Sequence, residues 1–174
     1  QLIDAGVVGI NIEDGILDKK ELSDMQKQCD LITEISKLKN TMGINFVINA
    51  RTDSLWLGTA VTKDEQIEQA IQRANSYLKA GADCVFVPGL LEVEDIKTLV
   101  QQINGPLNII TTPITPSTNE LEKLGVARVS TGSGPVRATF AIIKNISNEL
   151  KNEGSYNSIY KTTIAYDKIN DIFR

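Results

Sequence analysis

Two residues whose chemistry could work together, Glu13 and Arg51, stand at the ends of two short apolar stretches. The stretches cover residues 7–15 and 45–53, and each ends abruptly in charge. That pattern is typical of a buried parallel strand whose carboxyl end opens into a site. A carboxylate there is a hard oxygen ligand suited to Mg²⁺. A guanidinium there can grip a carboxylate and stabilise negative charge that develops on an oxygen.

Strand alternation places two asparagines on the same faces as this pair. Asn11 shares a face with Glu13 in the first stretch, and Asn49 shares a face with Arg51 in the second. We expect both amides to fill the interior as polar groups that hydrogen-bond around the site. Asn49 is also a candidate for substrate binding.

Each charged residue also has an ordinary structural interpretation. Glu13 could be a surface or helix-capping acid, and the neighbouring Asp14 fits that description well. Arg51 could serve only in an ion pair with Asp53 or Glu13, because a guanidinium leaving a buried strand needs an anion. Asp53 and Thr52 are expected to support Arg51 and not to react.

Later segments offer weaker candidates. Thr111 follows a fourth apolar run and is predicted to contact substrate. Residues 132–134, Gly-Ser-Gly, precede a predicted helix, where free backbone N–H groups favour an anion. A tight turn is the favoured interpretation of this segment. Trp56 lies in a predicted loop, and its indole could either anchor a lid over the site or simply pack as an aromatic side chain.

Composition narrows the function classes. The net charge of −4 argues against nucleic acid or an anionic membrane as the main partner. The chain has no histidine, which excludes an imidazole base or a histidine-bound metal within it. Cys29 and Cys84 lie far apart and in no metal-binding spacing, so we expect reduced thiols in a cytoplasmic protein.

Alternating patterns predict five β–α units and therefore a parallel sheet. The predicted strands are 7–15, 45–53, 84–88, 107–111 and 127–131; the predicted helices are 18–40, 63–81, 93–103, 117–124 and 136–151, with a last amphipathic helix at 159–173. Residues 54–63 are predicted as a loop. Two architectures fit five such units: a flavodoxin-like open sheet, or part of a (β/α)8 barrel.

Five motifs carry a family resemblance: GINIEDG, VINARTD, AGADCVFVPGL, GPLNIITTP and LGVARVSTGSG. Together they resemble the isocitrate lyase / phosphoenolpyruvate mutase superfamily, in the branch of 2-methylisocitrate lyase, oxaloacetate decarboxylase and the phosphonomutases. The resemblance implies an α/β fold, a TIM-type barrel of which residues 1–155 form the last five β–α units. Residues 156–174 would be a C-terminal helical extension. In the family the strand of the NIEDG motif resembles the fourth of the barrel, so the resemblance implies three further units upstream; the lack of an initiator Met and the resemblance of residues 2–6 to a helix end agree with this expectation.

The resemblance also implies roles for the two charged residues. Glu13 would help to hold Mg²⁺, with Mn²⁺ as a possible substitute, beside aspartates from preceding strands. Arg51 would bind a small 2-oxo acid or its enolate. The superfamily's lyases carry a cysteine loop after this strand, but residues 14–21 contain no cysteine. Decarboxylation or a related lyase reaction is therefore expected, or else phosphonomutase-like chemistry. The alternative is a catalytically incomplete fragment with a structural or binding role.

Partners are inferred from the same resemblance. We expect a small carboxylate substrate and a homo-oligomer, a dimer or a tetramer. The apolar stripe at 159–173 would dock on a partner subunit or pack beneath its own barrel.

Overall fold

The structure is a computed structural model that describes residues 3, 5–58, 60, 62–161 and 163–174. Its strands are β1 Gly9–Glu13, β2 Gly15–Ile16, β3 Glu21–Leu22, β4 Val47–Arg51, β5 Cys84–Val87, β6 Leu107–Ile110 and β7 Arg128–Ser130. Its helices are α1 Met25–Met42, α2 Ser54–Leu57, α3 Lys63–Lys79, α4 Val93–Gln102, α5 Thr118–Leu124, α6 Gly134–Asn152, α7 Asn157–Lys161 and α8 Tyr166–Asp171. Of the helix end predicted at 2–6, residues 2 and 4 lie outside the described residues; the Gly6 N–H donates to the Ile3 carbonyl at 2.9 Å, and Gly6 has a φ of 83°. None of the described helices has the length and apolar character needed to cross a membrane.

Five parallel strands form one sheet in the order β1-β4-β5-β6-β7, and β2 and β3 form a small antiparallel hairpin. The five strands of the sheet therefore follow one another in chain order. A flavodoxin-like sheet would place the first of its strands between the second and the third. The observed order excludes that alternative for the described strands, and it matches the consecutive order of a barrel wall. The predicted parallel α/β fold is confirmed.

The two faces of the sheet differ in chemistry. Apolar side chains alternate onto one face and pack against the helices, namely Ile10, Ile12, Ile48, Ala50, Val85, Val87, Leu107 and Ile109. The other face carries Asn11, Glu13, Asn49, Arg51, Cys84, Phe86, Asn108 and Ser130. Each fully buried aliphatic side chain contributes about 1.5–3 kcal/mol. The apolar face thus holds the sheet to its helices and leaves the polar face for a site.

Helices α1, α3 and α5 have capping residues at their ends. Thr62 Oγ1 accepts the Glu65 N–H at 3.2 Å, and the Glu65 carboxylate accepts the Thr62 N–H at 2.9 Å. The Glu120 carboxylate accepts the Ser117 N–H at 2.9 Å in the same way before α5. Gly43 ends α1 in the left-handed conformation, with φ of 63°. Such caps depend on hydrogen bonds between residues a few positions apart, and the sequence displays them directly.

Three element boundaries differ from the predictions. Helix α1 begins at Met25 and not at residue 18, because the β2–β3 hairpin takes up residues 15–22 and Asp24 caps the helix by accepting the Lys27 N–H at 3.0 Å. Helix α2 occupies the first part of the predicted loop, where Trp56 stays 53% exposed. The segment 159–173 forms two short helices with a non-helical stretch at 163–165. Thr163 there donates its hydroxyl to the Ile159 carbonyl, a local bond that competes with helix continuation.

The chain separates into two compact units, residues 1–130 and 131–174. The second contains α6, α7 and α8, with Pro135 in the first turn of α6 and Gly132 at φ of 55° before it. Within this unit the Glu149 carboxylate accepts the Ser155 hydroxyl at 2.5 Å and the N–H groups of Asn157 and Ser158 at 2.6 and 2.7 Å. One carboxylate on α6 therefore fixes the start of α7.

The Glu149 bonds predict a pH dependence for the second unit. Hydrogen bonds from Ser155 and Ser158 lower the pKa of Glu149 to about 2, against about 4.3 for an unperturbed glutamate. A lowered acid pKa stabilises the fold above the unfolded-state value, and this contribution is lost as pH falls from about 4.3 toward 2. Glu149→Gln should therefore lower the melting temperature at pH 7 and make little difference at pH 2. Glu153→Gln, an exposed acid after the same helix, is the control. An equal loss at both pH values would contradict this account.

Candidate active site

Glu13 and Arg51 meet at the carboxyl ends of β1 and β4, where they are register partners. Arg51 Nη1 lies 3.0 Å from Glu13 Oε2, and Arg51 Nε donates to Asp53 Oδ1 at 2.6 Å. The guanidinium carbon lies 5.6 Å from the centre of the Phe86 ring on the neighbouring strand. The side chain of Arg51 is thus oriented by two anions and one aromatic face.

This pair keeps unused bonding capacity at the mouth of the site. The Glu13 side chain is 44% exposed and that of Arg51 is 23% exposed. Among the residues that the structure describes, none accepts a hydrogen bond from Arg51 Nη2. Both ion pairs of the structural interpretation are therefore present, and one edge of the guanidinium remains able to bind an anion.

Asp53 is a buried support for Arg51. Its side chain is fully buried, and this burial raises its pKa, while the hydrogen bond and the positive charge of Arg51 act in the opposite direction. Its Oδ2 atom accepts no hydrogen bond from the described residues. Thr52 beside it is also buried, and its N–H donates to the Phe86 carbonyl at 3.0 Å. Neither side chain is placed to contact a dissolved substrate.

Asp14 corrects the surface interpretation, because this residue is only 1% exposed. Its Oδ1 atom accepts the Asp53 N–H at 2.9 Å, and its Oδ2 atom accepts the Tyr77 hydroxyl at 2.6 Å and Arg73 Nη1 at 3.1 Å. Burial and the charge of Asp14 raise the pKa of Tyr77 far above its usual value. The sequence signal for this network was Arg73 and Tyr77 at i, i+4 spacing on one helix face.

The other predicted residues lie at different distances from the pair. Asn49 Nδ2 donates to Asn11 Oδ1 at 2.7 Å, so these two amides share the polar face as expected. Asn49 is 1% exposed and lies two residues before Arg51 on the same strand. Thr111 is exposed after β6, two strands away from β4, and its N–H donates to the Ser130 carbonyl at 2.8 Å. The structure brings Glu13 and Arg51 together with Asp14 and Asp53. Among the described residues, Thr111 has no hydrogen bond to any of these four.

A metal site is incomplete in the described part of the chain. No group of three His, Cys, Asp or Glu side chains that could hold a metal ion occurs there. Glu13 offers one carboxylate of the type that Mg²⁺ prefers. Asp14 and Asp53 lie nearby, but they are buried and bound to guanidiniums. The carboxylate of Glu13 is therefore the right type of ligand for Mg²⁺, but the described residues provide too few such ligands to complete a site.

The segment after Glu13 is fixed at both ends. Gly15 starts the hairpin against the Asp53 carboxylate, and Ser23 after the hairpin donates its N–H to the Asp14 carbonyl at 2.7 Å. No cysteine or histidine lies in residues 14–23.

Comparison with known proteins gives consistent matches. A family model described as phosphoenolpyruvate phosphomutase matches residues 1–151. An uncharacterised protein of Mycobacterium tuberculosis is 39% identical over 131 residues, covering 75% of this chain and 46% of that protein. The 2-methylisocitrate lyase of Escherichia coli K12 is 28% identical over 172 residues, covering 92% of this chain and 55% of the lyase. The chain thus spans about half the length of these curated relatives.

Solved structures share the fold. The structure of oxaloacetate acetylhydrolase in complex with the product oxalate superposes with a TM-score of 0.79 at 22% identity, covering 98% of this chain and 58% of that one. The crystal structure of 2,3-dimethylmalate lyase, a member of the PEP mutase/isocitrate lyase superfamily, gives a TM-score of 0.77 at 22% identity, with 97% and 58% covered.

The contact between Gly15 and Asp53 predicts a strict requirement for glycine. A Cβ atom on Gly15 would lie within 3.0 Å of Asp53 Cγ and closer still to its Oδ2 atom. We expect Gly15→Ala to destabilise the fold by about 1–3 kcal/mol, as overpacking does. In a chain of this size each kcal/mol lowers the melting temperature by about 2–4 °C.

Gly134→Ala is the matched control, because a Cβ at Gly134 would meet no described atom within 4 Å. A melting temperature for Gly15→Ala equal to that of Gly134→Ala would show that the Asp53 carboxylate can move aside.

Proposed function

This chain belongs to the phosphoenolpyruvate phosphomutase family, and on that premise we propose that it forms part of an enzyme acting on a small 2-oxo acid through an enolate. Among the relatives, the Escherichia coli protein is a 2-methylisocitrate lyase, and the matching family model is that of a phosphomutase. The proposed reaction breaks or makes a carbon–carbon bond, by decarboxylation or a related lyase step, or a carbon–phosphorus bond as in a phosphonomutase.

The observation that carries the proposal is the open edge of the Glu13–Arg51 pair. Arg51 is oriented by Asp53 and Phe86, and its Nη2 atom has no acceptor among the described residues. A guanidinium held in this way loses little freedom when it binds a carboxylate or an enolate oxygen. Its position at the carboxyl ends of parallel strands is where α/β folds bind ligands.

Arg51 has the same task in each version of the chemistry. When the carboxylate beta to the carbonyl of an oxaloacetate-like 2-oxo acid leaves as carbon dioxide, the electron pair of the broken C–C bond forms a new C=C bond, and the carbonyl π pair moves onto the oxygen to give an enolate. A fixed guanidinium beside that oxygen stabilises the new negative charge. Mg²⁺, or Mn²⁺ in its place, would add charge stabilisation when bound. Glu13 is the one ligand that the described residues offer for it, so the remaining oxygen ligands must have another source.

The hairpin favours decarboxylase or simple lyase chemistry over isocitrate cleavage. The acid–base cysteine implied by resemblance to isocitrate lyases has no counterpart at residues 14–23. An enolate that forms by loss of carbon dioxide needs no such residue for the bond-breaking step.

A second candidate function is a scaffold without turnover. The incomplete metal site in the described residues favours it. A homo-oligomer, with residues 156–174 docked on a second copy, remains part of either proposal.

A thermal melt with oxalate, a mimic of the pyruvate enolate, tests the proposed function. We expect Mg²⁺ and oxalate together to raise the melting temperature, because a ligand at 100 times its Kd adds about 2.7 kcal/mol to the unfolding free energy. Arg51→Lys should abolish most of this shift, since a lysine cannot reproduce the planar, oriented donors. Arg128→Lys is the control, because Arg128 is an exposed arginine on the polar face of β7.

Each of three results would contradict a part of this proposal. A cooperative melt without any shift would favour the scaffold. An equal loss of shift in both arginine variants would separate oxalate binding from Arg51. A shift with oxalate that Mg²⁺ does not increase would remove the metal from the proposal.

A further inference from the structure

We propose that Asp14, held by Tyr77 and Arg73 of α3, is a positioning residue that fixes the direction of the Arg51 side chain. The proposal deepens the proposed function and rests on it for the identity of the ligand. None of the three residues needs to contact the substrate. They act through Asp53, which touches Arg51 directly.

The first step is a pair of hydrogen bonds that Asp14 makes with the backbone at the end of β4. The Asp14 N–H donates to the Arg51 carbonyl at 3.1 Å, and Asp14 Oδ1 accepts the Asp53 N–H at 2.9 Å. Asp14 therefore binds the chain on both sides of Thr52. The backbone that carries Asp53 is fixed relative to the backbone that carries Arg51.

The second step passes from the backbone to the side chain. With its backbone fixed, the Asp53 carboxylate is placed to accept Arg51 Nε at 2.6 Å. Gly15 lies against this carboxylate, which occupies the space that a Cβ atom at position 15 would fill. The Arg51 guanidinium thus has one orientation in which Nε meets Asp53 and Nη1 meets Glu13.

The third step explains the two residues on the helix. Asp14 is buried, and an unpaired buried carboxylate would be strongly unfavourable. The Tyr77 hydroxyl and Arg73 Nη1 both donate to Asp14 Oδ2, and Arg73 Nη1 also lies 3.0 Å from the Tyr77 hydroxyl. Arg73 further donates to the Ser23 carbonyl at 3.1 Å. The helix therefore supplies the positive charge and the two hydrogen bonds that hold the Asp14 side chain in place.

The Arg51 Nε–H resonance in the nitrogen-15 NMR spectrum of the folded chain tests the proposal directly. It is identified by its disappearance in Arg51→Lys. In the unsubstituted chain we expect a sharp signal with slow solvent exchange, because the proton lies in a short bond to Asp53. Tyr77→Phe and Asp14→Asn should broaden this signal and speed its exchange by about tenfold, the effect of losing one hydrogen bond.

Asp83→Asn is the matched control. Asp83 also accepts a β4 backbone N–H, that of Ile48 at 2.8 Å, and it pairs with Lys39 at 2.6 Å, but at the opposite end of the strand. This variant should lose stability and leave the Arg51 signal unchanged. An unchanged Arg51 signal in folded Tyr77→Phe and Asp14→Asn, or an equal change in Asp83→Asn, would overturn the proposal.

Oxalate affinity gives the second measurement. By titration with Mg²⁺ and oxalate, Tyr77→Phe should bind about 10- to 100-fold more weakly than the unsubstituted chain, the usual effect of losing a supporting contact. If the unsubstituted chain binds no oxalate, the proposed function fails, while the NMR comparison still decides the positioning role. If oxalate binding is intact in a Tyr77→Phe variant whose Arg51 signal has changed, the positioning proposal fails alone.

Discussion

Burial of charge at the carboxyl ends of β1 and β4 is the constraint on which the site depends. Three carboxylates and two guanidiniums meet there, and a buried charge is tolerated only with a partner of opposite sign. The guanidiniums of Arg51 and Arg73 serve the two buried acids, Asp53 and Asp14. The excess negative charge therefore lies on Glu13, the most exposed of the five, where a cation would be most favourable and where solvent has access.

Much of the fold could be predicted because its signals are local. Parity alone placed Asn49 and Arg51 on one face, since the side-chain period of a strand is fixed at two. Capping residues likewise form hydrogen bonds with residues three or four positions away, so their bonds can be predicted from the local sequence. The start of α1 could not be predicted in this way. The apolar spacing from Leu22 onward continues the helical pattern, and nothing local shows that Glu21 and Leu22 pair with Gly15 and Ile16 instead.

The charged pair and the contact of Arg51 with Asp53 could be predicted from the sequence, and the role of Asp14 could not. Glu13 and Arg51 are visible as charges that end apolar runs. Asp14 looks like an ordinary solvent-facing acid until the chain folds, because its partners Arg73 and Tyr77 lie 59 and 63 residues away. The sequence of α3 is typical of a surface helix with one buried apolar stripe. Arg73 points inward on this helix because it pairs with the buried Asp14 carboxylate. Thr111 follows β6, two strands from β4, and its role in substrate binding stays a prediction.

The two ends of β4 are held by different carboxylates. Asp83 accepts the Ile48 N–H near the start of the strand, and Asp14 accepts the Asp53 N–H just beyond its end. A slip of one residue in register would break both bonds and would turn the Arg51 side chain from the polar face toward the apolar helices. The strand that carries Arg51 is therefore held in register at both of its ends. The strand register that completes the sheet is therefore also the register that places Arg51 on the polar face, at the site.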